Sequence, residues 1–105
     1  MTAEEFIQSL PARVDKGTIA GMNTNFYFDI LGDNPTQYSV LIEEGEIRTA
    51  PGKVGDPTCT VTAKEKDLVA VVTGKMAPAM ALMMGKVKVS NLNEMMKFAK
   101  IFGMM

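Results

Sequence analysis

A chain of 105 residues has room for one core of modest size and no second domain. With 47% hydrophobic and 22% charged residues it has the balance of an ordinary soluble globular protein, and no apolar run approaches the ~18 residues of a membrane-spanning helix. The net charge of −1 hides an asymmetry: residues 1–62 hold nine acids against four bases, residues 63–105 three acids against seven lysines. Apolar surface beside lysines suits an anionic lipid or an acidic membrane surface better than nucleic acid, so no nucleic-acid partner is expected; equally, these lysines could serve only to keep an oily domain soluble. The start of the chain (MTAEEFIQSL) lacks the basic-then-apolar pattern of a secretory signal and its end (KIFGMM) is no peroxisomal address, so a cytoplasmic location is expected. The single cysteine, Cys59, cannot pair internally and reads as a buried small apolar residue.

Thr2 and Glu5 form a capping box ahead of Phe6, Ile7 and Leu10, which share one face of a helix expected over about 3–15, with Pro11 starting a new turn or ending it. After a loop marked by Gly17 and Gly21, residues 25–31 (NFYFDIL) alternate Phe26, Phe28 and Ile30 against Tyr27 and Asp29, the pattern of a strand with one buried face. A turn at 32–35 leads to a second strand over 37–43, carrying Tyr38, Val40 and Ile42 on one side. Glu44 and Gly45 supply a tight reversal into a third strand over 46–50. A Pro- and Gly-rich loop then leads to a short β-branched strand over 58–62.

Thr62 with Glu65 repeats the capping pattern, and Leu68, Val71 and Val72 form the apolar face of a helix stopped by Gly74. Pro78 suits the first turn of the next helix, where Met76, Met80, Met83 and Met84 fall on one side before Gly85 stops it. Residues 86–89 (KVKV) alternate as a fifth strand. Asn91 and Glu94 are a third cap-like pair, opening a helix that places Leu92, Met95, Met96, Ala99 and Phe102 on one face and ends at Gly103. Strands followed by helices, with one late strand between helices, read as an α+β domain with a mainly antiparallel sheet covered on one face.

Several chemistries are excluded. With no histidine the chain lacks the usual general base, the usual partner of a nucleophile and the commonest metal ligand. One cysteine cannot build structural zinc. Neither Gly-Lys pair, Gly74-Lys75 or Gly85-Lys86, has the spacing or the following Ser or Thr of a phosphate loop; both read as helix stops. Glu43, Glu44 and Glu46 lack a calcium-loop pattern and read as a solvated turn. Thioether ligation of copper(I) by Met76, Met80 and Met83 with Cys59 is chemically conceivable but has little support in a cytosolic chain without histidine. No enzyme activity, metal or cofactor is therefore expected.

What remains is grease. The nine residues 76–84 (MAPAMALMM) are uncharged, and eight of the ten methionines lie between 76 and 105. A helix apolar on every side needs cover on every side, and methionine, unbranched and polarizable, adapts to irregular apolar shapes. A methionine stripe at helical spacing most often means simple core; here an oily ligand is the alternative.

The segment 73–91 (TGKMAPAMALMMGKVKVSN) resembles the C-terminal motif of the sterol carrier protein type-two family, a helix between two Gly-Lys pairs leading into a short strand. The order of the other elements resembles that family over nearly the whole chain. The resemblance implies a five-stranded sheet with helices over one face and, between them, an apolar tunnel that accepts sterols, fatty acids, acyl-coenzyme A or phospholipids. It carries over Gly74, Lys75, Met80, Met83, Met84, Gly85, Lys86, Val87 and Val89, with Met95, Met96 and Phe102 from the closing helix. The chain departs from the pattern at Ser90, where relatives often have glycine, and in lacking the peroxisomal tail of many eukaryotic members; the latter points to a free-standing bacterial or archaeal version whose natural cargo is not expected to be sterol.

The expectation is a single-domain, non-enzymatic lipid carrier. Its ligand-binding residues are Phe28, Ile42, Met76, Met80, Met83, Met84, Val89, Met95, Met96 and Phe102, and Lys75, Lys86 and Lys97 are candidates for holding a head group. The expected partners are a lipid or acyl chain, with transient membrane-surface contact and a homodimer both compatible with the sequence. The competing reading is an accessory module that docks a second copy or an acyl-processing enzyme through the helix over 76–84. Met104 and Met105 could serve as a lid or be a frayed tail.

Overall fold

The computed structural model describes residues 2–101. The elements run α1 (Ala3–Arg13), β1 (Asn23–Leu31), β2 (Thr36–Glu43), β3 (Glu46–Pro51), β4 (Cys59–Lys64), α2 (Glu65–Val72), α3 (Pro78–Met83), β5 (Val87–Val89) and α4 (Leu92–Ile101). The five strands form one sheet in the order β3-β2-β1-β4-β5. Only β1 and β4 are parallel; every other pair is antiparallel, so the chain has the expected α+β architecture.

Period-two alternation sets which face is inside. Thr24, Phe26, Phe28 and Ile30 of β1 are buried, and the register places Phe28 between Tyr38 and Val61, and Phe26 between Val40 and Cys59, on the same face. Phe6, Ile7 and Leu10 of α1, Leu68 of α2, Ala81 of α3 and Phe98 of α4 close over that face. Phe98 is the keystone: its ring meets Phe26 edge-on at 4.8 Å between centroids and Phe28 at 5.6 Å. The opposite face is partly strapped by the loop after β3. There Ser39 Oγ donates to the Gly52 carbonyl (2.7 Å) and accepts from the Val54 N–H (3.1 Å), while Asn25 Nδ2 donates to the Val54 carbonyl (2.6 Å).

The turns follow from local chemistry. Glu44 (φ 51°) and Gly45 (φ 80°) both take positive φ, the two-residue reversal whose twist matches antiparallel strands. Both Gly-Lys pairs end their helices in the same way. Lys75 N–H donates to the Ala70 carbonyl and Gly74 N–H to that of Val71; Lys86 N–H donates to the Ala81 carbonyl and Gly85 N–H to that of Leu82. These are two Schellman closures, each with glycine at positive φ.

Local expectations met three corrections. Pro11 neither starts nor ends a turn but lies within α1, which runs on to Arg13. Thr62 does not cap α2: it is the fourth residue of β4, paired with Asp29 and Lys88, and the helix is entered from Lys64 with no side-chain cap. Ladder bonds on both sides of β4 outweigh the local pattern. The third concerns the side of α3 that faces inward, taken up with the cavity below. The Thr2–Glu5 box is formed, with Glu5 N–H donating to Thr2 Oγ1 (3.1 Å) and Thr2 N–H to Glu5 Oε1 (3.0 Å), and Asn91 accepts from the Glu94 N–H (3.3 Å).

Candidate functional site: an apolar cavity beneath the helices

Between the sheet and helices α2 to α4 lies a cavity of about 380 Å³. Among the described residues its walls are apolar side chains throughout: Phe6 from α1; Phe28, Val61 and Val87 from the sheet; Leu68, Val71 and Val72 from α2; Ala77, Pro78, Ala79, Ala81 and Leu82 around α3; Leu92, Met95, Met96, Phe98 and Ala99 from α4. The space exists because many of these positions carry small side chains. Alanine at 77, 79, 81 and 99 lets the helix backbones approach without filling what lies between. The floor, including Phe28, Val61 and Phe98, is buried, whereas Ala77, Ala79, Leu92 and Met96 are exposed, so the rim lies where the start of α3 faces the start of α4.

Of the residues proposed for ligand contact, Phe28, Met95 and Met96 line the cavity. Met80, Met83 and Met84 do not; they are 55%, 88% and 60% exposed. Their i, i+3, i+4 spacing does put them on one side of α3, but the side that meets the cavity is the opposite one, the buried Ala81 with the half-buried Leu82 and Pro78. A segment that is apolar all round encodes no inward direction by itself. The sheet accepts the side with small residues. Met76 precedes the helix and packs, half-buried, against the core, as does Val89; neither is part of the lining. Ile42 is fully buried beside Thr24 and Ile47 in the ladder, away from the lining. Phe102, Gly103, Met104 and Met105, and with them the lid, lie outside the described residues.

None of the three candidate head-group lysines lines the cavity. Lys86 lies 3.9 Å from the buried carboxylate of Asp67, and Lys97 is 3.1 Å from Glu94, whose other oxygen accepts from Thr24 Oγ1 (3.0 Å). Lys75 is exposed beyond the end of α2.

Sequence reasoning missed Phe6, Val61, Pro78, Leu82 and the alanines as cavity walls. The spacing of Leu68, Val71 and Val72 does mark an apolar face, yet it reads identically whether the face meets a packed neighbour or a void.

Polar chemistry is sparse. Cys59 is fully buried on the inner face of β4, its thiol against the Asn91 carbonyl (3.5 Å), and burial pushes that thiol above its ordinary pKa. Among the described residues no three His, Cys, Asp or Glu side chains gather as a metal site, and no helix is long and apolar enough to cross a membrane.

No curated protein sequence matches the chain. Solved structures do. The sec-alkylsulfatase Pisa1 from Pseudomonas sp. contains a similar fold (TM-score 0.79, 19% identity), covering 100% of this chain but 16% of that one, so the chain spans under a sixth of the enzyme. The palmitated SCP2L2 of Aedes aegypti, similar over 97% of this chain and 95% of its own, has TM-score 0.77 at 22% identity. Sterol carrier protein 2 of Yarrowia lipolytica in its apo form has TM-score 0.70 at 22% identity, over 95% and 84% of the two chains. At these identities the likeness is one of fold. The profile of the SCP-2 sterol transfer family matches residues 4–103, nearly the full length, and with an apolar cavity under the helices of that fold the chain belongs to this family of lipid- and sterol-carrier domains.

Proposed function

We propose that this domain is a non-enzymatic carrier for single-chain lipids, a fatty acid or its acyl thioester, with the alkyl chain in the cavity and the polar head at the rim. The observation that carries the reading is a cavity of about 380 Å³ walled, among the described residues, by apolar side chains alone. At about 30 Å³ per water-sized group, such a volume holds on the order of a dozen methylenes, at the small end of ligand sites. That supports one acyl chain over a two-chain phospholipid. The mosquito relative in its palmitated form points to the same ligand class.

Burying a dozen methylenes is worth about 10 kcal/mol. Against an association cost on the order of 4 kcal/mol, this leaves binding in the tens of micromolar. Among the described residues no polar group on the wall orients the cargo, so discrimination rests on chain length and shape. Titration with a dansyl-labelled fatty acid, followed by displacement with unlabelled chains of graded length, tests this directly. Affinity is expected to rise with length and level off once the void is full. No binding up to about 100 μM, a concentration at which a site of tens of micromolar is more than half filled, refutes the carrier reading.

A second reading has one observation in its favour. In the alkyl sulfatase a domain of this fold is 16% of a longer enzyme chain, which supports a role as accessory module to an enzyme acting on alkyl or acyl substrates. Turnover that needs this domain added to such an enzyme, with no binding of free fatty acid, distinguishes it.

A further inference from the structure

We propose that Met96 is an oxidation site, where a hydroperoxide adds one oxygen to the thioether and so loosens the cavity's hold on its cargo. Four methionines are exposed among the described residues, Met80, Met83, Met84 and Met96, and of these Met96 alone lines the cavity. Met76 and Met95 are half-buried. Met96 stands in the second turn of α4, on the rim opposite the start of α3, and is 41% exposed. A thioether so placed is open to a small oxidant from solvent on one side and borders the alkyl chain's space on the other. Met80, Met83 and Met84 undergo the same chemistry without consequence for the cavity, because they lie on the outside of α3.

The step balances between two reactants alone. A sulfur lone pair attacks one oxygen of the hydroperoxide and the O–O bond breaks. A proton passes from the transferred oxygen to the departing one. Sulfur is left as a sulfoxide, oxidised by two electrons, and the hydroperoxide is reduced to water or, if it carried an alkyl group, to an alcohol. The chain's one thiol is a poor competitor for the oxidant, since Cys59 is fully buried and its burial keeps it protonated.

What the added oxygen does follows from the walls. A sulfoxide is polar and accepts hydrogen bonds, and among the described residues the lining offers it no donor side chain. Turned inward it would be a buried polar group without a partner. It therefore turns out to water, on the side where the exposed Lys100 follows at i+4. The rim then loses the apolar surface that Met96 supplied, and the flank of the alkyl chain is left wet. Leucine would wall this position as well but is inert to peroxide, so methionine here adds responsiveness to lining. Sulfoxide reductases, one for each sulfur epimer, restore the thioether, which makes the change reversible. The proposal rests on the carrier reading, because an oxidised rim matters only to a cavity that holds cargo.

Treatment with hydrogen peroxide tests it, with peptide mass spectrometry to place the added oxygen and dansyl fatty-acid titration before and after. Met96 is expected to be oxidised ahead of Met76 and Met95. Affinity is expected to fall about tenfold, the equivalent of roughly two methylenes returned to water, and to recover after incubation with both reductases. Met96→Leu, which conserves volume, is expected to bind like untreated wild type before and after peroxide, whereas Met83→Leu loses affinity on treatment as wild type does. The urea midpoint of the oxidised wild type stays near that of the reduced protein, which separates a loosened rim from a lost fold. Unchanged affinity with Met96 oxidised overturns the proposal. So does an equal loss in Met96→Leu, which assigns the effect to another methionine, and so does a loss accompanied by a collapsed urea midpoint. If reduced wild type binds no dansyl fatty acid, the carrier reading falls and this proposal with it; if it binds and oxidation leaves binding alone, only this proposal falls.

Discussion

Phe98 shows how one side chain decides both packing and site. Its ring is buried against Phe26 and Phe28 on one side and borders the cavity on the other. Phe98→Ala is expected to cost about 3 kcal/mol, the low end for such truncations because the neighbourhood is already partly void. Urea denaturation measures it. Cys59 answers a different question. Its buried thiol is held neutral, so Ellman's reagent is expected to react at a rate set by opening of the fold, and fast reaction of the native protein contradicts that burial. The sign of the pH effect follows. With the folded pKa raised, the stability the neutral thiol contributes is complete below the unfolded value of about 8.5 and declines as pH rises above it. The alkaline loss is expected to be shallower in Cys59→Ala. The roles of these two residues differ in legibility: alternation and composition indicate a buried Cys59, whereas nothing about Phe98 in sequence says that it ends at a cavity.

At the level of elements, the short helix α3 is defined by its ends. Six residues are too few to hold a helix on propensity alone. Pro78 at its start and the closure by Gly85 and Lys86 at its end fix its length. Gly85→Ala and Gly74→Ala each place a side chain at positive φ and are expected to cost about 1 kcal/mol, read from denaturation midpoints. A larger loss from Gly85→Ala than from Gly74→Ala would mean that α3 depends more on its cap than α2 does. Legibility divides along the same line. Strands with clean alternation and helices with capping boxes are readable because each residue's preference agrees with its neighbours'. The exception at Thr62 arose where a cap pattern and a strand competed for the same residue. The direction of α3 was unreadable because all of its sides are apolar, leaving side-chain size, seen only against the sheet, to choose.

The whole molecule is a sheet with a gap under its roof. Filling the gap is the sharpest test of its use: Val71→Trp, from a half-buried position on the wall, is expected to lower fatty-acid affinity about tenfold or more while holding stability within about 1 kcal/mol, since the added ring enters space rather than displacing neighbours. The chain has no tryptophan of its own, so the new ring's emission reports the cavity without background. Affinity equal to wild type would place the ligand elsewhere.

The apolar walls of that chamber also have a mechanical consequence. They offer no hydrogen-bond partner to water, so the unliganded fold packs its interior less densely than the loaded one, and hydrostatic compression favours whichever state eliminates the hollow. The vacant form is therefore expected to unfold at lower pressure than the loaded one, by a margin that grows with the length of the alkyl tail inside.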